Sequence, residues 1–236
     1  MIYRLGMVRV AAFIKSEGFK PTFVLLMAVL LPAVHKYFTW FRESGSNYFF
    51  GMDSEVVIMF AVMFILMGIM PAFTIRYLFG ENLKDFGVKV GDWKSGLLLV
   101  AVILPLITVL LLYPGSLNPE MQLFFPYDKS AGRSIQAFMR YELVRGLLFY
   151  TAWEFFFRGF VLFGLRDRVG DSIANLIQTI PSCLWHIGGP GGELFSSIPG
   201  GFLFGVIALR TRSILWPLLL HYLIGVINDL LIVVNK

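Results

Sequence analysis

Seven apolar runs constrain the fold of this chain more than any other feature. They lie at about 21–41, 55–78, 95–113, 143–165, 172–190, 194–209 and 213–234. A transmembrane helix needs about 20 predominantly apolar residues to cross the hydrocarbon core of a bilayer. The runs therefore predict an all-α, polytopic membrane helical bundle of about seven transmembrane helices, within a range of six to eight. Prolines and glycines interrupt the fifth and sixth runs.

The composition supports a membrane protein and excludes a soluble one. Of the 236 residues, 57% are hydrophobic and 15% are charged, whereas soluble domains have about 45–50% apolar and about 25% charged residues. The one cysteine, Cys183, excludes an intramolecular disulfide and a cysteine-rich metal site. The net charge of +5 comes from basic residues between the apolar runs. We therefore expect the lipid bilayer, and no nucleic acid, as a partner.

The distribution of basic residues predicts the orientation in the membrane. One side carries 12 of them, namely Arg4, Arg9, Lys15, Lys20, Arg76, Lys84, Lys89, Lys94, Arg166, Arg168, Arg210 and Arg212. The other side carries five, namely Lys36, Arg42, Lys129, Arg133 and Lys236. Because cytoplasmic loops are enriched in Lys and Arg, we predict a cytoplasmic N-terminus and an external C-terminus. This orientation requires an odd number of spans, and we expect an integral protein of a bacterial or archaeal cell membrane.

Three consecutive parts are expected along the chain. Residues 1–20 form a basic cytoplasmic leader, which lacks a signal-peptide cleavage site and is expected to lie on the membrane as an interfacial helix. Residues 21–133 hold the N-terminal transmembrane helices and an external loop, and residues 134–236 hold the remaining helices, which form the core of the candidate site. In the core, the spacing of Gly201 and Gly205 predicts close packing of two helices. The glycines around Pro190 predict a helix break.

A charged pair lies in the middle of the fourth run. Glu154 and Arg158 are four residues apart, so a helix places them on one face, where their charges can compensate each other. Each costs about 2.5–3.5 kcal/mol to place in a membrane on insertion scales. A pair retained at that cost indicates a functional site. The alternative is a structural ion pair that fixes one helix against its neighbours.

Three further polar residues accompany this pair. His186 lies on the predicted fifth span, and His221 and Asn228 lie on the seventh, where a spacing of seven residues places both on one face. Counted from the basic ends of their helices, Glu154 and these residues lie at depths of about 14–24 Å. We therefore expect three helices to bring them to a similar depth.

Other polar residues in the runs are expected to be structural. His35 lies outside the set and is predicted to be a packing residue. Glu142 and Arg145 are predicted to pair near the membrane boundary, and Asp229 to face the outer interface.

These residues also carry a resemblance to a known family. Residues 141–228 resemble the CPBP family of intramembrane endopeptidases, which includes the type II CAAX prenyl endopeptidases and bacterial Abi-type proteins. The family pattern is E-E-x-x-x-R, then F-x-x-x-H, then H-x-x-x-N, on successive helices. Glu154 and Arg158 match the second Glu and the Arg of the first element, His186 matches the second element, and His221 matches the third.

The sequence departs from the family pattern at three positions. Trp153 replaces the first Glu, Ser182 replaces the Phe, and Gly225 replaces the Asn, while Asn228 lies about one turn beyond. Glu154 would then be the single carboxylate of the pattern. These departures suggest either a rearranged site or a loss of catalysis, and we favour the rearranged site because the costly polar residues are retained.

The resemblance implies hydrolysis of a peptide bond in or near the membrane. In this hypothesis Glu154 and His186 activate a water molecule, and His221 with Asn228 stabilises the oxyanion. Arg158 orients Glu154 or a substrate carbonyl. The implied partner is a peptide or protein substrate, which includes membrane-anchored and lipidated ones.

No cofactor is expected. One carboxylate and two imidazoles match the ligand count of a catalytic zinc site, so zinc is the alternative. The guanidinium of Arg158 next to Glu154 argues against a dication at that position.

A function without catalysis remains the second hypothesis. The chain would be an inactive membrane partner, namely an immunity factor, scaffold or peptide-binding protein, that uses the same cavity. The replacement of the first Glu by Trp153 supports it. A transporter is a weaker alternative because the sequence contains no apparent inverted repeat.

Overall fold

The computed structural model describes residues 16–40 and 47–236. Most of the predicted leader therefore lies outside the described residues. The helices of the described part are α1 Phe19–Trp40, α2 Ser54–Leu78, α3 Trp93–Ser116, α4 Pro119–Phe124, α5 Ile135–Val169, α6 Asp171–Leu184, α7 Gly191–Thr211 and α8 Leu215–Asn235. Two short strands, β1 Tyr48–Phe49 and β2 Met52–Asp53, pair antiparallel before α2. Short 3-10 turns lie at Leu83–Phe86 and Lys129–Arg133.

The predicted polytopic helical bundle is confirmed. Six helices of the described ranges, α1 to α3, α5, α7 and α8, are long and apolar enough to cross a membrane. The predicted fifth span, 172–190, differs because its helix, α6, ends at Leu184. With 14 residues, α6 is about 21 Å long and shorter than a bilayer core of about 30 Å. The remainder of that predicted span forms turns, and these hold His186.

Helix α5 forms the centre of the bundle. Within an 18-residue apolar stretch of each helix, 78% of the residues of α5 are buried, against 11% of those of α3. Two stretches of α5, Gly146–Tyr150 and Phe155–Phe163, are π-helical and flank the α-helical turn Thr151–Glu154. Such wide turns are frequent at functional sites. The burial of α5 allows it to carry charged residues that a lipid-facing helix could not.

Helices α6 and α7 pack closely through a polar face. The buried side chains of Asn175 and Gln178 donate hydrogen bonds to the carbonyls of Phe202 and Gly201, each at 3.0 Å. A Cβ atom added at Gly205 would overlap the side chain of Asn175. The glycine spacing in α7 therefore allows the close packing of two helices that the sequence predicts. The hydrogen bonds of Asn175 and Gln178 to α7 also explain why α6 is amphipathic rather than apolar throughout.

Side-chain contacts join some of the connections between helices. The ion pairs Lys20–Glu81 at 2.6 Å and Asp92–Arg210 at 3.0 Å are two of them, and the contact from Arg133 to the Tyr48 hydroxyl at 3.4 Å is a third. Each contact joins segments that the basic-residue count assigned to the same side of the membrane. Which side faces the cytoplasm remains a prediction.

Candidate active site

Glu154 is the centre of a buried charged group. It lies at the end of the α-helical turn of α5, with no exposed surface. Its Oε1 atom lies 2.6 Å from Nδ1 of His221 and 3.2 Å from Nη1 of Arg158. The second contact is an ion pair without hydrogen-bond geometry, since Nη1 has no hydrogen-bond partner among the described residues. Arg158 also donates from Nη2 to the carbonyl of Gly201 at 3.4 Å. The predicted ion pair of α5 is therefore also connected to α7, through Arg158, and to α8, through Glu154.

His221 is oriented by this contact. When Glu154 is ionised, its carboxylate can only accept hydrogen bonds, and Nδ1 of His221 then carries the hydrogen between them. In a neutral imidazole the other nitrogen, Nε2, is then an acceptor. The rings of Tyr150 and Phe204 pack against the imidazole, with centroids 4.8 and 4.9 Å away.

His186 is oriented in a similar way by the backbone. Its Nδ1 lies 2.9 Å from the carbonyl oxygen of Ser182, one turn earlier. Because a carbonyl also only accepts, Nδ1 again carries the hydrogen and Nε2 is an acceptor when the ring is neutral. Nε2 lies 3.6 Å from Oε1 of Glu193, in the first turn of α7. The ring thus has a fixed orientation, with its free nitrogen toward a carboxylate.

Both histidines border one small cavity. It has a volume of about 30 Å³, which is enough for one or two water molecules. Its walls are formed by Tyr127, Arg145, Phe149, Tyr150, Trp153, Trp185, His186, Glu193 and His221. Glu154 and Arg158 are not part of the wall, and Glu154 reaches it through His221. The space is therefore aromatic, with two imidazoles, one carboxylate and one guanidinium on its surface.

Two of the departures from the family pattern lie at this cavity. The buried indole of Trp153 lies between the histidines, with ring centroids 5.6 Å from His186 and 6.4 Å from His221. At Gly225, an added Cβ atom would overlap the hydroxyl of Tyr150. The absence of a side chain at position 225 thus makes room for a phenol at the cavity.

Asn228 belongs to a second charged group. Its side chain donates to Oδ1 of Asp229 at 3.0 Å, and it does not line the cavity. Oδ2 of Asp229 accepts from Nη1 of Arg145 at 2.6 Å, and the predicted Glu142–Arg145 pair is present at 3.6 Å. The expectation that Asp229 faces the outer interface is wrong. Asp229 is fully buried because it compensates the charge of Arg145.

The donor set does not suit a metal ion. Among residues 16–40 and 47–236, no three His, Cys, Asp or Glu side chains are arranged to hold one. The guanidinium of Arg145 also faces the cavity, and its positive charge would repel a dication there.

Several residues of the cavity wall were not predicted from the sequence. Glu193 is the most important of them for chemistry. It follows a glycine-rich turn and lies in the first turn of a helix, where an acidic residue is ordinary. Its only distinguishing signal is that it is a carboxylate seven residues after His186. Arg145 was predicted only as a boundary ion pair. His35, predicted to be a packing residue, is buried and accepts from Trp185 of the wall at 3.2 Å.

Comparison with known protein families gives a match to the second half of the chain. A family model described as Type II CAAX prenyl endopeptidase, Rce1-like, matches residues 135–227. This segment begins with α5 and ends within α8, so it contains both histidines and Glu154. No curated protein and no solved structure matches the chain.

Proposed function

Since residues 135–227 belong to the CPBP family of intramembrane endopeptidases, we propose that the chain hydrolyses a peptide bond near or within the membrane with a water activated by glutamate and histidine. The observation that carries the proposal is that His186 and His221, from separate elements, border one cavity of about 30 Å³. A hydrolase needs a water held next to acceptors that can take its proton.

The roles follow from the contacts of each side chain. His186 and His221 face the water, and Glu154 acts on it through His221, as the carboxylate does in other carboxylate–histidine pairs. Arg158 holds Glu154 in place. The oxyanion role predicted for His221 with Asn228 would require a protonated His221, because Nε2 of the neutral ring is an acceptor, and Asn228 itself does not line the cavity.

Tyr150 is a further candidate donor to the oxyanion. It lines the cavity, and its hydroxyl lies against Gly225, where the family pattern has Asn. A phenol can donate a hydrogen bond as an amide does.

The substrate in this proposal is a membrane-anchored or lipidated peptide. Because the matching family is described as a prenyl endopeptidase, a farnesylated fluorogenic CAAX peptide is the first probe. The purified chain, reconstituted in liposomes, is expected to cleave it, and Glu154→Gln is expected to reduce the rate by about 10²–10⁴-fold, the usual contribution of acid–base groups.

The control for this experiment is Glu81→Gln. It removes a partly exposed carboxylate, and its rate should equal that of the wild type. Gel filtration and a melting curve in detergent verify that each variant is folded. Equal cleavage by the wild type and Glu154→Gln contradicts the proposed roles. A wild type that binds the peptide without cleaving it favours the inactive membrane partner, for which Trp153 at the position of the first Glu is the supporting observation.

A further inference from the structure

We infer that Glu193 is a catalytic residue of this site, and that together with His186 it takes the proton of the hydrolytic water. The inference rests on the proposed function and deepens it, because Glu193 lies outside the motif residues that carry the resemblance. It would make the site a four-residue arrangement, in which each of two histidines is paired with a glutamate.

The first argument comes from two acceptors that face each other. Nε2 of His186 is an acceptor when the ring is neutral, because Nδ1 is bound to the carbonyl of Ser182 at 2.9 Å. An ionised Glu193 has only acceptors, and its Oε1 lies 3.6 Å from that nitrogen. This distance exceeds a direct hydrogen bond. In that state a proton donor between the two groups satisfies both, and a water molecule can donate one hydrogen to each.

The second argument is the position of the pair. Both side chains line the cavity and are only partly exposed, at 14% for His186 and 22% for Glu193. His221, which carries the other histidine–glutamate contact, lines the same cavity. A water next to Glu193 therefore lies in the same small space as the remaining proposed groups.

The third argument is the replacement at position 153. The indole of Trp153 fills the space beside His186, so the chain cannot supply a carboxylate there from α5. Glu193 approaches the same imidazole from α7 instead. A carboxylate next to His186 is thus present in the fold, although it is missing from the sequence pattern.

The step can be written with every proton and electron pair assigned. The oxygen of water forms a bond to the carbon of the scissile carbonyl, and one of its protons passes to the Glu193–His186 pair. The π electrons of the carbonyl move to its oxygen. When they return, the bond between carbon and nitrogen breaks, and the pair delivers its proton to the leaving nitrogen. The products are a carboxylic acid and an amine, and no other reactant is needed.

Glu193 also has a possible structural role, because a carboxylate in the first turn of a helix interacts favourably with the helix dipole. The chain offers a matched control for this effect. Glu120 of α4 lies at the same helix end, with both carboxylate oxygens 3.4 Å from the amide nitrogen of Gly191, but its side chain is exposed and does not line the cavity. Glu120→Gln removes a negative charge from that helix end without changing the cavity.

The test uses the full chain in liposomes with the farnesylated fluorogenic CAAX peptide. Glu193→Gln is expected to lower kcat by about 10²–10⁴-fold, and Glu120→Gln to leave it unchanged. His186→Ala should lose about as much as Glu193→Gln, and the double variant should lose little more, because groups that act as a unit are not additive. Melting curves in detergent should be similar for Glu193→Gln and Glu120→Gln.

The outcomes separate the two proposals. If Glu193→Gln cleaves at the wild-type rate while Glu154→Gln and His186→Ala are inactive, the role of Glu193 is overturned and the proposed function stands. If the loss of kcat in the double variant equals the product of the two single losses, the two residues act independently, and the role of Glu193 is overturned. Equal losses of kcat in Glu120→Gln and Glu193→Gln overturn it as well, because they indicate an effect of charge at the helix end. A wild type that does not cleave the peptide overturns both proposals.

Discussion

Helices α5 and α8 run antiparallel and are joined by two charged contacts that differ in design. The inner contact pairs Glu154 of α5 with His221 of α8 at 2.6 Å, and the outer one pairs Arg145 of α5 with Asp229 of α8 at 2.6 Å. In the inner contact α5 supplies the negative charge, and in the outer one it supplies the positive charge. The two contacts lie nine residues apart on α5 and eight residues apart on α8, which is about 12–14 Å along a helix.

The difference shows which contact is suited to chemistry. The inner contact includes an imidazole, which can both accept and donate a proton and whose ring reaches the cavity. The outer contact joins a guanidinium, which does not lose its proton in proteins, to a carboxylate. Arg145 lines the cavity as well, but its guanidinium cannot take a proton from water, so this contact serves to fix the distance and register of the two helices. The reactive contact is thus held by a neighbouring unreactive one.

The largest stability effect is expected when the outer contact is broken. Asp229→Ala leaves the guanidinium of Arg145 buried without its closest carboxylate, which should cost about 3–5 kcal/mol. Thermal unfolding in detergent measures the loss. Because apolar replacement of a whole buried ionic group is often neutral, the variant Glu142→Gln/Arg145→Met/Asp229→Leu should recover most of the stability. A triple variant as unstable as Asp229→Ala would show that the contact does more than fix the helices.

A smaller effect is expected at Gly225, which lies between the two contacts along α8. In Gly225→Ala the new methyl group overlaps the hydroxyl of Tyr150, and overpacking of this kind costs about 1–3 kcal/mol. Because His221 lies one turn away, peptide cleavage should fall as well. Gly200→Ala is the control, since a Cβ atom there meets nothing within 4 Å. A Gly225→Ala variant with wild-type stability and activity would contradict the close packing.

The smallest effect is expected for an ion pair at the end of the bundle. Lys20 and Glu81 are 2.6 Å apart, with side chains 31% and 36% exposed. Solvent-exposed pairs contribute about 0–1 kcal/mol, so Glu81→Gln should change the melting curve little, and less at high salt. A loss as large as that of Asp229→Ala would remove the distinction between buried and exposed contacts.

The fold was predictable because the length of an apolar run depends on the bilayer rather than on tertiary detail. The exception, α6, is informative. Its buried residues Asn175, Gln178 and Ser182 form a polar face toward α7, so its sequence satisfies a protein neighbour rather than lipid. A hydropathy argument cannot separate a helix shielded in this way from one that spans the membrane.

The candidate site was predictable only in part. The ion pair of Glu154 and Arg158 follows from a spacing of four within one helix, and the structure places them 3.2 Å apart. The partnership of Asp229 with Arg145 joins residues 84 positions apart, so local spacing contains no signal for it. Glu193 was missed for the same reason, because its position near His186 depends on the turn before α7. Tertiary packing decides which carboxylate faces which base.

The size of the cavity has a consequence for turnover. A space of about 30 Å³ can hold the hydrolytic water but is too small for a peptide bond with its flanking residues. In the proposed reaction the walls must separate before a substrate is bound and close again to exclude bulk solvent. Part of the wall, formed by Tyr127 and residues 185–186, lies in segments between helices rather than in α5 or α8. Opening of those segments would then be a step of each turnover, as gating is in many enzymes.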